Sequence, residues 1–303
     1  MFKIGVHCGF RRICSINDFI FYNSFFLSRT RKFYMEFCTI VRDIQIGLFL
    51  IDLEKPKSIT ISTFDFDLTL FMTELYNADI DYDIWYWYMN DFNGQKIDLC
   101  SFTIPNNVKL HQLERNHAKF WYITTRNQVR FILTSANVTY GMMHNCLQSI
   151  VSVTTDLSKV GKDPNLDRFF SIYNINLDCN IIKLLKNRLI YNIPFEWNGI
   201  ERWLSCQSDL LVDCNNATIS YLPMVNKKIL IRSQIPTSAS KIVTYYNLDK
   251  IIPSTSIISS DYKEMFHYKL YYTPMCVLVS SSNFSYNHKM NLELGILIYS
   301  SNE

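Results

Sequence analysis

The residues best suited to chemistry come in matched sets. His117-Ala-Lys119 and His267-Tyr-Lys269 each place an imidazole two positions before an ammonium, 150 residues apart. A short apolar stretch follows each pair and ends in small residues closed by asparagine, Ser135-Ala-Asn137 and Ser281-Ser-Asn283. A third element also recurs: Gln148 stands 11 residues after Asn137 and Glu293 stands 10 after Asn283, each directly after a leucine. Side chains two apart on a strand share a face, so each His is expected to point with its Lys. A hairpin returns the chain to its start, which brings Ser135 and Asn137 back beside His117, and Ser281 and Asn283 beside His267.

Packed face to face, the two sets supply two His, two Lys, two Asn, a Gln and a Glu. That inventory suits displacement at a phosphodiester. One imidazole can attack phosphorus while the other protonates the leaving oxygen, help worth roughly 10² to 10⁴ in rate. Ammonium and amide donors would bind the non-bridging oxygens and the charge of the transition state. Such chemistry calls for no metal and no other cofactor. The chain also has no metal-ligand spacing, Gly-rich phosphate loop or Gly-x-Ser-x-Gly elbow. Taken singly, each feature has an ordinary explanation: a lone buried His is usually satisfied by the backbone, and small-small-Asn is turn chemistry. The ordered repetition, which uses two of six histidines, favours the functional reading. His7, His111, His144 and His288 repeat nothing and are read as structural or surface residues.

The elements that must position these groups are mostly strands. Hairpins are expected at 120–124 with 129–133, turning at 126–128, and at 270–272 with 276–279, turning at Thr273-Pro274. Closing strands follow at 146–153 and 291–298. Residues 58–64 alternate like a strand, and 65–75 have helical apolar spacing with an acidic first turn. The same strand-then-helix order is expected at 228–233 and 240–248, ahead of the second set. Trp85-Tyr-Trp-Tyr88, within 79–92, reads as a core strand with its turn, and a base-stacking platform is the less favoured alternative. Residues 154–165 are loop-like, with helices at 166–174 and 181–189. The boundary between the two units falls near Gly161: a tail at 1–16, a first half at 17–160 and a second at 161–303.

Composition narrows the class. With 303 residues, 48% hydrophobic and 15% aromatic, the chain can bury a large core. A formal charge of +3 is far from that of a strongly basic nucleic-acid binder, so affinity for phosphate must come from local placement. Nine scattered cysteines, with no Cys-x-x-Cys, read as reduced thiols in a nuclear or cytosolic protein. The apolar run at 18–27 is too short and broken for a signal peptide or membrane span, although a weak transit-peptide reading survives. Sequons occur at Asn137, Asn216 and Asn283, and function at two of them agrees with a non-secreted protein.

The doubled motif resembles the phospholipase D superfamily, whose two half-domains each give a His-x-Lys motif to one active site. Within it the chain is similar to the tyrosyl-DNA phosphodiesterase branch. The usual Asp five residues after each Lys is replaced here by Thr124 and Pro274, and each motif ends instead in Asn. Ser281-Ser-Asn-Phe-Ser285 with Leu292-Glu-Leu-Gly-Ile-Leu297 looks like that branch's second motif. The resemblance implies an α/β fold of two tandem α-β-α sandwich halves with mixed sheets, related by a pseudo-twofold, with the active site between them. It implies that His117 is the nucleophile that forms a phosphohistidine, and that His267 protonates the departing tyrosine and then activates water. Lys119, Lys269, Asn137 and Asn283 would hold the phosphate, with Ser135, Ser281 and Ser285 nearby, while Gln148 and Glu293 orient the histidines.

The implied partners are a DNA 3′ end, single- or double-stranded, and the tyrosyl peptide left by a stalled type IB topoisomerase. A monomer in the nucleus, or in the cytoplasm for a viral protein, is expected, with no membrane partner. The region between the motifs is shorter than in cellular members, and their long N-terminal extension is not seen. A phospholipase D-like nuclease or lipid hydrolase, and an inactive DNA-end-binding module, stand as the other readings.

Overall fold

The computed structural model describes residues 33–41, 55–90, 103–144, 146, 148–207, 209–214, 228–233 and 267–299. Among these, the strands form two seven-stranded mixed sheets, one after the other along the chain. The first holds β1 (Phe33–Val41), β2 (Ser58–Asp67), β3 (Asp81–Asn90), β4 (Val108–Gln112), β5 (Phe120–Thr124), β6 (Gln128–Thr134) and β7 (Gln148–Asp156), in the order β1-β7-β6-β5-β2-β3-β4. The second holds β8 (Leu189–Ile193), β9 (Trp197–Asn198), β10 (Asp209–Cys214), β11 (Lys228–Ser233), β12 (Lys269–Tyr272), β13 (Cys276–Ser280) and β14 (Glu293–Tyr299), in the order β11-β10-β12-β13-β14-β8-β9.

A five-strand unit is common to both. In β3-β2-β5-β6-β7 and in β11-β10-β12-β13-β14 the first pair is parallel and the other three pairings are antiparallel. The repeat read from the sequence is therefore present, with one reassignment. The strand at 228–233 corresponds to β3, whereas the counterpart of β2 is β10, a strand the sequence reading did not anticipate. The helix expected at 240–248 and the tail at 1–16 lie outside the described residues.

Period-two alternation explains how one strand serves two cores. Phe120 and Tyr122 enter a cluster shared by the two sheets, while Trp121 and Ile123 enter a separate cluster on the other face of the first sheet. Leu270 and Val279 face the shared cluster, and Tyr271 and Leu278 face a third on the far side of the second sheet. The shared cluster is completed by Phe169, Phe170, Tyr173 and Leu185 from helices. Each large apolar side chain buried there contributes roughly 1.5–3 kcal/mol of transfer free energy, before the cost of ordering it.

Helix starts follow capping chemistry. Residues 65–67 continue β2, because Asp65, Phe66 and Asp67 pair with Tyr88, Met89 and Asn90, and α1 (Leu68–Leu70) begins only after Asp67 accepts a hydrogen bond from Leu70 N. A π turn, Phe71–Leu75, follows. After α2 (Tyr140–His144) and β7, α3 (Pro164–Phe170) starts two residues earlier than expected, since Asp163 caps it and Pro164 opens it. It runs into a 3₁₀ turn, Ser171–Tyr173. Next come α4 (Cys179–Leu185), capped by Asp178, and α5 (Gly199–Cys206). Leu189, expected at a helix end, opens β8, and the expected loop at 154–165 loses its first three residues to β7.

Candidate active site

Backbone bonds between the two halves fix the first histidine. Asn116 bridges to Leu292, with His117 N donating to Leu292 O at 3.0 Å and Leu292 N donating to Arg115 O at 2.8 Å. Asn116 itself is fully buried. Its Oδ1 accepts from Ser62 Oγ and Tyr173 OH, and its Nδ2 donates to Thr63 O and Trp85 O. That amide ties His117 to β2, β3 and the helical layer at once. The sequence reading missed Asn116. Its only signal there is adjacency to the motif histidine, which is too common to carry weight.

His117 to Lys119 and His267 to Tyr268 lie just ahead of β5 and β12 rather than wholly within them. Each Lys nonetheless folds back on its own His: Lys119 Nζ donates to His117 O at 2.8 Å, and Lys269 Nζ donates to His267 O at 2.6 Å. Lys269 Nζ also lies 3.2 Å from His267 Nε2. Both lysines are 0% exposed. Burial lowers Lys119 to a pKa of about 8, against the opposing pull of Glu293 and Asp65. Burial, followed by the charge of Lys119, pushes Lys269 well below the usual lysine value.

The histidines reach across to the opposite half. His117 Nδ1 lies 2.8 Å from Glu293 Oε1, and His267 Nδ1 lies 2.7 Å from Ser135 O. Burial lowers the His117 pKa, while the Glu293 carboxylate works against that shift. His267 is lowered well below its ordinary value by burial, then by Lys269 and Lys119. Glu293 is 1% exposed, yet its pKa falls: burial raises it, and His117, Lys119 and the hydroxyl of Ser281 together outweigh that. The carboxylate therefore stays ionised beside the imidazole.

The remaining sequence-predicted residues form the supports. Ser281 Oγ donates to Glu293 Oε2 at 2.5 Å, and Ser135 Oγ donates to Gln148 Oε1 at 2.7 Å. Gln148 Nε2 donates to Met142 O, so Gln148 acts on His267 only through Ser135. Asn137 and Asn283 each have a buried Oδ1 with no hydrogen-bond partner among the described residues. Rotating either amide by half a turn exchanges O for N–H at the same place, so both can present donors to an anion. Ser285 enters through its backbone, its N–H donating to Asn283 O at 2.9 Å. His111 bonds to Asp83 and stacks on Trp85, and His144 bonds to Glu74. His288 is buried on the 3₁₀ turn Tyr286–Met290, and His7 lies outside the described residues.

The charges do not balance. Among the described residues, two buried lysines, when protonated, face one buried carboxylate, with Asp65 half-buried and raised in pKa mainly by burial. Excess buried positive charge is costly unless an anion offsets it, the same cost that lowers both lysine pKa values. No group of three or more His, Cys, Asp or Glu suited to a metal occurs among the described residues, and none of their helices is long and apolar enough to cross a membrane.

No protein-family model matches the chain, and no curated protein matches it. Solved structures do. A yeast tyrosyl-DNA phosphodiesterase H432N mutant is similar with a TM-score of 0.60 and 12% identity, over 88% of this chain and 90% of that one. The yeast tyrosyl-DNA phosphodiesterase without that change gives 0.59 and 13%, over 89% and 90%. A phosphatidylserine synthase from Haemophilus influenzae gives 0.55 and 12%, over 89% and 84%. With its two repeated mixed sheets, the chain has the α/β fold of the phospholipase D type. Within that type, its architecture is similar along nearly the whole chain to that of tyrosyl-DNA phosphodiesterase.

Proposed function

We propose that the protein is a phosphodiesterase that works through a covalent histidine intermediate and acts on blocked DNA 3′ ends, 3′-phosphotyrosyl ends first among them. One observation carries the reading: both motif lysines are fully buried around what is, among the described residues, a single buried carboxylate, beside two histidines held from opposite halves. A phosphodiester supplies the missing negative charge. His117, with Nδ1 against an ionised carboxylate, is the nucleophile, because Glu293 stabilises the positive charge the ring acquires on bonding to phosphorus. His267 is the acid and then the base. It is neutral in the empty site, and the arriving anion offsets the two lysines and favours its protonated form. Lys119, Lys269 and the two asparagine amides bind the non-bridging oxygens. The leaving oxygen takes the His267 proton, and water activated by the same ring then releases the phosphate from His117.

The DNA-end substrate rests on the Asn-terminated motifs and on the fold shared with tyrosyl-DNA phosphodiesterase. A 3′-phosphotyrosyl oligonucleotide incubated with the protein in EDTA is expected to yield a 3′ phosphate. If that substrate survives while phosphatidylcholine or internal phosphodiesters of single-stranded DNA are cleaved, the 3′-end reading is wrong.

A further inference from the structure

Beside the phosphate site lies an aromatic surface that the chemistry above does not use. Phe64 stands on β2 between Thr63 and Asp65, which pair with Tyr86 and Tyr88 on β3, in the C-terminal halves of these two parallel strands. Its ring meets Trp87 edge-on at 5.5 Å and Tyr88 at 5.3 Å, while Trp87 and Tyr88 stack at 5.1 Å and 16°. The same Phe64 ring touches the His117 imidazole at 5.0 Å, with Lys119 Nζ 5.7 Å from its centroid. None of the three aromatics belongs to the apolar cores, and Tyr88 is 41% exposed. Their neighbours on the strand behave differently. Trp85 stacks on His111, and Tyr86 is buried in the core.

We infer that Phe64, Trp87 and Tyr88 form a stacking shelf for the nucleobase of the strand's last nucleotide, the one that stays joined to phosphorus. The inference rests on the phosphodiesterase reading and deepens it. In an in-line displacement the attacking atom and the leaving group lie on opposite sides of phosphorus. With His117 attacking, the leaving group departs away from it, toward His267. A surface in contact with His117 therefore lies away from the leaving group, on the side open to the retained nucleotide, which is bonded in the equatorial plane of phosphorus. Partly exposed, preassembled rings at the end of a β-sheet offer a flat apolar face without the entropy cost of gathering them. Every base has a complementary π-face, so such a shelf gives affinity with little preference for sequence. Phe64 is the joint between the shelf and the chemistry, because it contacts both Trp87 and His117.

Binding tests the shelf separately from turnover. Fluorescein-labelled single strands ending in a 3′ phosphate, with either thymidine or an abasic sugar as the last residue, are titrated with the protein and followed by anisotropy. A strand ending in uridine 3′ phosphate, run alongside, identifies whether DNA or RNA supplies the base. The wild type is expected to bind the thymidine end about 5- to 150-fold more tightly than the abasic end, the range that base–aromatic stacking supplies. Trp87→Ala and Tyr88→Ala are expected to bring that ratio toward one, and Trp87→Phe, which keeps a ring, to preserve most of it. Equal wild-type affinity for the two ends, no measurable binding of either, or a ratio unchanged in the Ala variants overturns the shelf. Hydrolysis of the 3′-phosphotyrosyl oligonucleotide by the same preparation stands or falls independently, so the two failures are told apart.

Discussion

The two halves build the same support and put it to different uses. In the first, Ser135 Oγ donates to Gln148 Oε1 and accepts from Ser149 N; in the second, Ser281 Oγ donates to Glu293 Oε2 and accepts from Leu294 N. The scaffolds coincide bond for bond, and the difference is an amide against a carboxylate. Glu293 keeps its second oxygen for His117 of the other half, whereas Gln148 turns its amide nitrogen to Met142 O within its own half. His267 is left on a backbone carbonyl, with an ammonium near its other nitrogen. A repeated fold thus yields two unequal imidazoles, one beside a full negative charge and one beside a neutral dipole and a cation. That inequality is what a nucleophile and an acid–base catalyst require of one site.

The comparison can be broken most severely at the histidines. His117→Ala is expected to lower single-turnover cleavage about 10⁴-fold or more, as loss of a covalent nucleophile does. His267→Ala should lower it by about 10² to 10⁴, the contribution of a general acid. Equal losses in the two variants would remove the distinction drawn between the halves.

Making the halves alike is a milder change. Glu293→Gln retains the shape and the Ser281 contact but removes the charge, and is expected to cost about 10- to 100-fold in activity, as for other partners that orient a functional imidazole. Its pH profile carries a sign. In the proposed mechanism His117 attacks as the neutral ring, so activity should climb as pH rises through its pKa. Burial depresses that pKa and Glu293 opposes the depression. Without the carboxylate the climbing limb should move to lower pH, and an unmoved limb would show that Glu293 does not act through His117.

The smallest effect is expected in the first half. Gln148→Ala leaves the buried Ser135 hydroxyl without its acceptor and should cost about 1–3 kcal/mol of stability in a denaturant melt. The climbing limb should stay where the wild type has it, since Gln148 has no direct contact with His117. A shift as large as that of Glu293→Gln would make the two supports equivalent.

The sequence made the local parts of this legible. Both hairpins could be placed because period-two alternation and turn residues are written within about ten positions, and Thr125 and Thr273 close the turns by local side-chain bonds. The paired His, Lys and Asn were visible because they repeat in order. Contacts set by tertiary structure were not legible. Nothing in the chain says that His117 meets Glu293 rather than its own Gln148, or that Asn116 is the buried tie between β2, β3 and the histidine. Helical spacing at 65–75 suggested a start at Asp65, but pairing with β3 holds those residues extended, a case of tertiary structure overriding local pattern. Trp85 to Tyr88 read as one aromatic run, and only tertiary contacts separate Trp85 and Tyr86, packed on His111 and in the core, from Trp87 and Tyr88 beside Phe64.

The central claim is that His117 is the residue that bonds to phosphorus while His267 serves it. The direct measurement is mass spectrometry of His267→Asn after incubation with a 3′-phosphotyrosyl oligonucleotide, with peptide mapping of any DNA adduct. A nucleotide joined through phosphate to His117, accumulating because its hydrolysis has lost the base, is the predicted result. An adduct on any other residue, or none while tyrosine is released, would contradict it.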